Sequence, residues 1–268
     1  MIMRPPSKAQ LKYLKTQKHE KILIWFSRIT IFVLFLILWE IASQKGWIDS
    51  FIFCSPSIIA STFYDMCRDQ SLFTHIGVTL WETIASFFFV VVLGLGVAVL
   101  LWIFPKLSKI LEPYLVVLNS LPKSALAPLL IVWLGANQTT IIVAGISVAI
   151  FGSIINLYTG FQEVDKDKLK LITTLKGSKT DALRKVILPA SIPLILSVMK
   201  VNIGLCLVGV VIGEFIGARQ GLGYLIIYGS QVFKLSWVLM SIVILCVIAM
   251  ALYSLVNLAQ RYYLHNRA

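Results

Sequence analysis

GFQEVDKDKLKLITTLKGSKTDALRKVILPASIP, residues 160–193, is the one long charge-rich stretch set between apolar runs of this chain. From Glu163 to Lys185 it places Lys166, Lys168, Lys170, Lys176, Lys179, Arg184 and Lys185 against Glu163, Asp165, Asp167 and Asp181, a net charge of +3. Residues 124–162 carry no charge at all, and between Lys185 and Arg219 the charges are Lys200 and Glu214. A solvated, helix-patterned island inside so apolar a chain reads as a docking surface on a membrane protein.

Its pattern predicts two short helices. Leu169, Ile172 and Leu175 recur at three-residue steps and predict one apolar face; Ala182, Leu183, Val186 and Ile187 predict another. Gly177 separates them. Ser178-x-x-Asp181 reads as a capping box with aspartate at the acidic position. Pro189 is expected to stop the second helix, because it has no N–H to donate and its ring clashes with the preceding turn. Pro193 suits the first turn of the helix that follows.

Composition sets the class. The chain has 268 residues, 58% hydrophobic and 13% charged, with a mean hydropathy of +0.87 and a net charge of +12. Soluble domains carry about 25% charged residues. The apolar runs are long and continuous, which predicts an all-α polytopic membrane protein and not a barrel of short alternating strands. In such a chain the basic excess is a matter of topology and does not point to nucleic acid. Cys54, Cys67, Cys206 and Cys246 form no C-x-x-C pair; Cys206 and Cys246 read as small packing residues. His19, His75 and His265 are scattered, and no metal-ligand spacing is present.

About six spans are expected, at residues 22–43, 76–104, 111–134, 139–158, 192–212 and 235–258. Residues 1–21 form a basic tail, with Arg4, Lys8, Lys12, Lys15, Lys18 and Lys21 against Glu20. Residues 44–75 are too mixed to span, and their net charge of −1 suits the outer face; a helix is expected from Ser57 to Arg68 with Ser55 or Ser57 as its cap. The third span carries Pro113, Pro122, Lys123 and Pro128, tolerable in a bilayer only where freed backbone groups find other partners. Six spans put both termini on one side. The basic N-tail, Lys106 with Lys109, the island and the C-tail at 263–268 all fall there, which predicts a multi-pass cell (inner) membrane protein with both termini cytoplasmic.

Enzyme chemistry is not legible. Gly177-Ser178-Lys179-Thr180 superficially matches the end of a phosphate-binding loop, but that loop needs glycine where Thr173 and Ser178 stand. No nucleophile elbow, H-E-x-x-H or other catalytic constellation is present. No cofactor is expected, and no residues of the chain are read as able to hydrolyse ATP.

The island closing on Val186, Leu188 and Pro189 resembles the cytoplasmic E-A-A-x3-G-x9-I-x-L-P signature of ABC importer permeases. Counted back from Pro189, the signature glycine falls on Lys176, one place before Gly177, and E-A-A falls on Lys170, Leu171 and Ile172. Pro122–Pro128, Trp133-x-Gly135, Val211–Gly217 and Gly221–Ile226 join it in resembling the nitrate/sulfonate/taurine-type permeases over residues 75–262. The resemblance implies a type I (MetI-like) permease core at 76–262 with an extra N-terminal helix. It implies a coupling loop at 160–190 in which Leu171, Leu175, Lys176, Gly177, Ala182, Val186, Leu188 and Pro189 meet a cytoplasmic ABC ATPase. It also implies an extracytoplasmic substrate-binding protein, a second copy of the chain, surrounding lipid, and a small anion such as an aliphatic sulfonate, taurine or nitrate as cargo. Permeases for thiamine-precursor-like or other small solutes look similar.

Lys123, Lys200, Asn202, Glu214, Gly221 and Gly223 are the candidates for a translocation path or gate. Lys200 sits about eight residues into the fifth span, ~12 Å deep at 1.5 Å per residue. Its bland reading is a structural pair or a snorkelling group, its sharper one an attraction for an anionic substrate. Glu214 reads as a contact with the following loop or the binding protein, and Gly217, Gly221 and Gly223 as a tight outer turn. An ion-coupled secondary transporter is the competing class. It would want inverted repeats and intramembrane acids, for which Glu82 and Glu214 are the candidates. A membrane scaffold without transport is the third reading.

Overall fold

The computed structural model describes residues 8–265, and every regular element in that range is helical. The basic ends at residues 1–7 and 266–268, Arg4 and Arg267 among them, lie outside the described residues. The chain divides into two compact units, Met1–Thr62 and Phe63–Ala268.

In the first unit α1 (Lys8–Gln44) runs unbroken from the basic tail through the first expected span. After a turn and the short α2 (Ser50–Phe53), α3 (Pro56–Arg68) begins one residue ahead of the expected start. Ser55 Oγ accepts from the Ile58 N–H at 3.3 Å, so Ser55 is the cap. Glu40 ties the unit together: Ser57 donates to it from its N–H (3.0 Å) and its hydroxyl (2.8 Å).

The second unit holds α4 (Ser71–Ile103), α5 (Pro105–Ser120), α6 (Lys123–Leu134), α7 (Gln138–Gln162), α8 (Lys166–Thr174), α9 (Lys179–Ala182), α10 (Leu188–Gly217), α11 (Leu222–Gln231) and α12 (Leu235–His265). Helices α4 and α7 run in the same direction. Ser86 touches the Ile142 carbonyl and Gly145, Gly94 faces Ser153, and Ala98 packs with Leu157, so the numbering rises together on both. The connection between two parallel spans must return across the membrane. Only α5 and α6 are available to do so, and they form one span bent by 96° at Leu121–Pro122. Pro122 and Lys123 of the third apolar segment are thereby explained: the helix is broken there, and the amine of Lys123 donates to the Leu118 carbonyl, while Pro113 and Pro128 lie inside α5 and α6. With the apolar stretches of α1, α4, α7, α10 and α12, this makes six spans among the described residues.

Helix α10 runs against α7, with Gly213 beside Ile141 and Ala144, Asn202 on Ser153, and Gly160 beside Leu194. Their backbones approach closely: a Cβ on Gly209 would lie 2.8 Å from Gly145 Cα and 2.9 Å from the Ala144 carbonyl oxygen. Helix α12 returns antiparallel to α10, with Asn257 level with Lys200. The charged island and the C-terminal end of α12 therefore share one end of the bundle, and the start of α4 and the 218–221 turn share the other.

Two proline expectations fail. The second island helix does not end at Pro189. A π-helical turn at Leu183–Ile187 joins α9 to α10, and the Leu188 N–H bonds the Leu183 carbonyl five residues back. Widening that turn moves the preceding carbonyls away from the proline ring, so the helix passes through Pro189. Pro193 accordingly lies inside α10 and not at its first turn. Cys206 is buried as expected, but Cys246 is exposed on the outside of α12.

Gly209→Leu should force α10 away from α7 and cost about 1–3 kcal/mol, read as a lower melting temperature in detergent. Gly204→Leu, where an added Cβ meets nothing within 4 Å, should leave it near the parent value.

Candidate functional site

The island folds as a knuckle anchored from below. Phe161, Leu183 and Ile187 are buried with Ala98, Leu157 and Val198, and Val164, Leu169 and Leu188 pack against them. This cluster packs the knuckle onto α4, α7 and α10. Asp165 accepts from the Asp167 N–H at 2.9 Å and caps α8. The capping box forms at the start of α9: the Asp181 N–H donates to Ser178 Oγ (3.2 Å) and the Ser178 N–H to Asp181 Oδ2 (3.0 Å). The ion pairs Lys170–Asp167 (2.9 Å) and Lys185–Asp181 (3.1 Å) are exposed and contribute little.

The turn between α8 and α9 closes as a Schellman motif, with the Gly177 N–H on the Ile172 carbonyl (2.9 Å) and the Lys176 N–H on that of Thr173 (3.0 Å). The residue that this motif needs left-handed is Lys176, with φ +57°. The position that the resemblance assigns to the signature glycine is thus left-handed here and holds a lysine.

The eight island candidates separate into two groups. Ala182 is buried, and Val186, Leu188 and Pro189 are half-buried against the spans. Leu171, Leu175, Lys176 and Gly177 are exposed, Leu171 by 59% and Leu175 by 70%. Leu175 is therefore not on the inward face with Leu169 and Ile172. It pairs at four residues with Leu171 on a different, outward face. Behind them Leu169, Ile172, Gly177 and Lys179 line a 500 Å³ groove against Trp102 and Pro105.

At the far end of the bundle Glu214 is 1% exposed and collects the outer turn. Its Oε1 accepts from Thr79 Oγ1 and its Oε2 from the Gly223 N–H, both at 2.6 Å. Thr79 Oγ1 also accepts from the Leu222 N–H (2.8 Å), and His75 Nδ1 from the Gly221 N–H (3.0 Å). Gly221 has φ +114°, and any Cβ there would run into the Glu214 carboxylate; one on Gly223 would lie 2.7 Å from Oε2. Both glycines are required because the carboxylate fills the space of their side chains. Glu82, also buried, places a second carboxyl beside it. Thus Glu214, Gly221 and Gly223 form one clamp.

The other path candidates stand apart from it. Asn202 is buried and donates to Ser153 Oγ at 2.9 Å. Half-buried Lys123 lies 5.0 Å from the Phe151 ring at the bend. Lys200 donates to Asn257 Oδ1 at 2.6 Å. The partners Thr79, His75, Ser153 and Asn257 escape sequence reading because each contact joins residues far apart in the chain. The one available hint is a polar residue inside an apolar run.

A family model of the binding-protein-dependent transport system inner membrane component matches residues 90–268. The putative aliphatic sulfonates transport permease protein SsuC of Bacillus subtilis (strain 168) is 26% identical over 237 residues, 88% of this chain and 86% of that protein. The formylaminopyrimidine transport permease protein ThiX of Halalkalibacterium halodurans is 24% identical over 193 residues, 72% of this chain and 76% of that protein. Among solved structures, an inward-facing conformation of the MetNI methionine ABC transporter superposes with a TM-score of 0.65 at 21% identity, covering 72% of this chain and 96% of that one. This last likeness concerns the fold.

Lys176→Gly should stabilise the α8–α9 turn by about 1 kcal/mol, the cost of a left-handed non-glycine residue, read as slower exchange of the amides at positions 176 and 177. Gly223→Ala should lower the melting temperature. The loss should shrink in a Glu214→Ala background, where the obstructing carboxylate is gone; equal losses in both would disprove the clamp.

Proposed function

Because this chain belongs to the family of binding-protein-dependent transport system inner membrane components, we propose that it forms, with a second copy of itself, the path of an ATP-driven importer for a small anion. The chain is a multi-pass ABC importer permease subunit and carries no ATPase motif of its own. In the proposed assembly, cytoplasmic ABC ATPase subunits grip the two knuckles and an extracytoplasmic binding protein delivers cargo to the end carrying the Glu214 clamp. The complex sits in the inner membrane with both termini cytoplasmic, as the basic ends favour.

The observation that carries this reading is the outward Leu171–Leu175 pair. Two leucines exposed to water, Leu171 on the nine-residue α8 and Leu175 at its C-cap, stabilise nothing within the chain. They suit the apolar centre of a protein interface, with Lys176 and the surrounding charges as its rim. The same helix rests through Leu169 on the cluster that binds α4, α7 and α10 together. Closure of the ATPase pair would move the knuckles, and the spans would follow as rigid bodies between inward- and outward-facing states.

The cargo proposed first is an aliphatic sulfonate, then taurine or nitrate. The likeness to SsuC supports a sulfonate, and the likeness to ThiX supports a thiamine-precursor-like solute as the second reading. Lys123 is proposed as the cation that meets an anion in the path; its partial exposure at the bend of α5–α6 supports this.

Leu171→Asp and Leu175→Asp should each weaken ATPase association by roughly 30-fold or more, the scale of an interface hot spot, and abolish uptake while membrane insertion persists. Co-purification of the ATPase subunit with each variant measures this, and undiminished association would exclude the knuckle as the grip. Deleting the gene should remove growth on the transported compound when taurine, an alkanesulfonate or nitrate is the sole sulfur or nitrogen source.

A further inference from the structure

Between α10 and α12 lies a 320 Å³ groove lined by Lys200, Ile203, Gly204, Leu207, Met250 and Tyr253, among others. Its walls are apolar except at one end, where the Lys200 ammonium donates to neutral Asn257 and lies 5.9 Å from the Tyr253 ring centre. Among the described residues the ion pairs are Lys170–Asp167 and Lys185–Asp181, so this half-buried cation has no carboxylate partner. Gly204 leaves a notch in the groove floor, since a Cβ there would meet nothing within 4 Å. The rim is open: Met250 is 62% and Tyr253 51% exposed.

The contact with Asn257 fixes the level of that cation. The uncharged stretch of α12 runs from Leu235 to Gln260 and ends at Arg261. A hydrocarbon core takes about 20 helical residues, which places Asn257 at the boundary on the knuckle side. Lys200 therefore does not sit in the bilayer centre. Its side chain leans toward the N-terminus of its own helix, and for α10 that is again the knuckle end. The groove continues from it toward the membrane interior, one turn to Gly204 and nearly two to Leu207.

A cation at the headgroup boundary with an apolar trough behind it matches the two ends of an amphiphile. We propose that this groove binds an anionic phospholipid of the leaflet on the knuckle side, its phosphate on Lys200 and an acyl chain along Ile203, Gly204, Leu207 and Met250. A small hydrated anion in transit fits poorly, because the trough offers no polar group to replace the water it would lose.

Phosphatidylglycerol titrated against the full-length chain in neutral detergent tests the proposal, with phosphatidylcholine of the same tails as control. Melting temperature and lipid retention by native mass spectrometry are read together. The parent chain should be stabilised by phosphatidylglycerol and retain it, and not by phosphatidylcholine. Lys200→Met should weaken that binding about fivefold, the worth of one basic residue at an anionic surface. Gly204→Leu, which keeps the cation and fills the notch, should weaken it as well. Equal response to both lipids, or full retention of phosphatidylglycerol by both variants, would overturn the assignment. So would a raised substrate KM in Lys200→Met with lipid binding intact, which would return Lys200 to the path and leave the transport reading standing.

Discussion

Helices in a bilayer gain nothing from hiding leucine, since the surrounding tails are as apolar as the side chain. What holds this bundle is the closeness with which backbones can meet. Gly209 on α10 lies against Gly145 on α7, and Gly145 in turn accommodates Ser86 of α4. Three spans therefore converge on one line of small residues, and the hydroxyl of Ser86 reaches the Ile142 carbonyl across it at 3.0 Å. Dispersion and a few interhelical hydrogen bonds do there what water exclusion does in a soluble core. The direction of every other span follows: α4 and α7 are parallel, so α5–α6 must cross, α10 must run back, and α12 must return.

The two ends of that core have opposite characters. At one, Glu214, Thr79, His75 and the amides of residues 221–223 bond one another, while the buried carboxyl of Glu82 beside them finds no hydrogen-bond partner among the described residues. At the other, charge is left in solvent and two leucines are left uncovered. A closed end and an unfinished end are what a subunit of a larger assembly presents.

The knuckle was largely legible because its signals are local. The Ser178–Asp181 box lies within one helical turn, and the charge island stands out against uncharged neighbours. Leu175 was misplaced for a geometric reason: at about 100° per residue, three-residue steps fall some 60° short each time. Two such steps carry Leu175 off the face that Leu169 begins. Pro189 was misplaced because a missing N–H signals a helix end only when the preceding turn is an ordinary one. The clamp was half legible. The glycines announced a tight turn, but the carboxylate that makes them obligatory meets Thr79 135 residues earlier in the chain. No periodicity records such a contact. The partner of Lys200 was hidden likewise, since Asn257 lies on another helix.

The π-helical joint at Leu183–Ile187 has a mechanical meaning. Because the helix does not break at Pro189, residues 179–217 form one lever of about 58 Å at 1.5 Å per residue. Its long arm carries Ser178 and the knuckle, its short arm Glu214 and the outer turn. With a pivot where Gly209 crosses Gly145, a torque applied to the knuckle in the proposed assembly would reach the Glu214 clamp through one continuous helix.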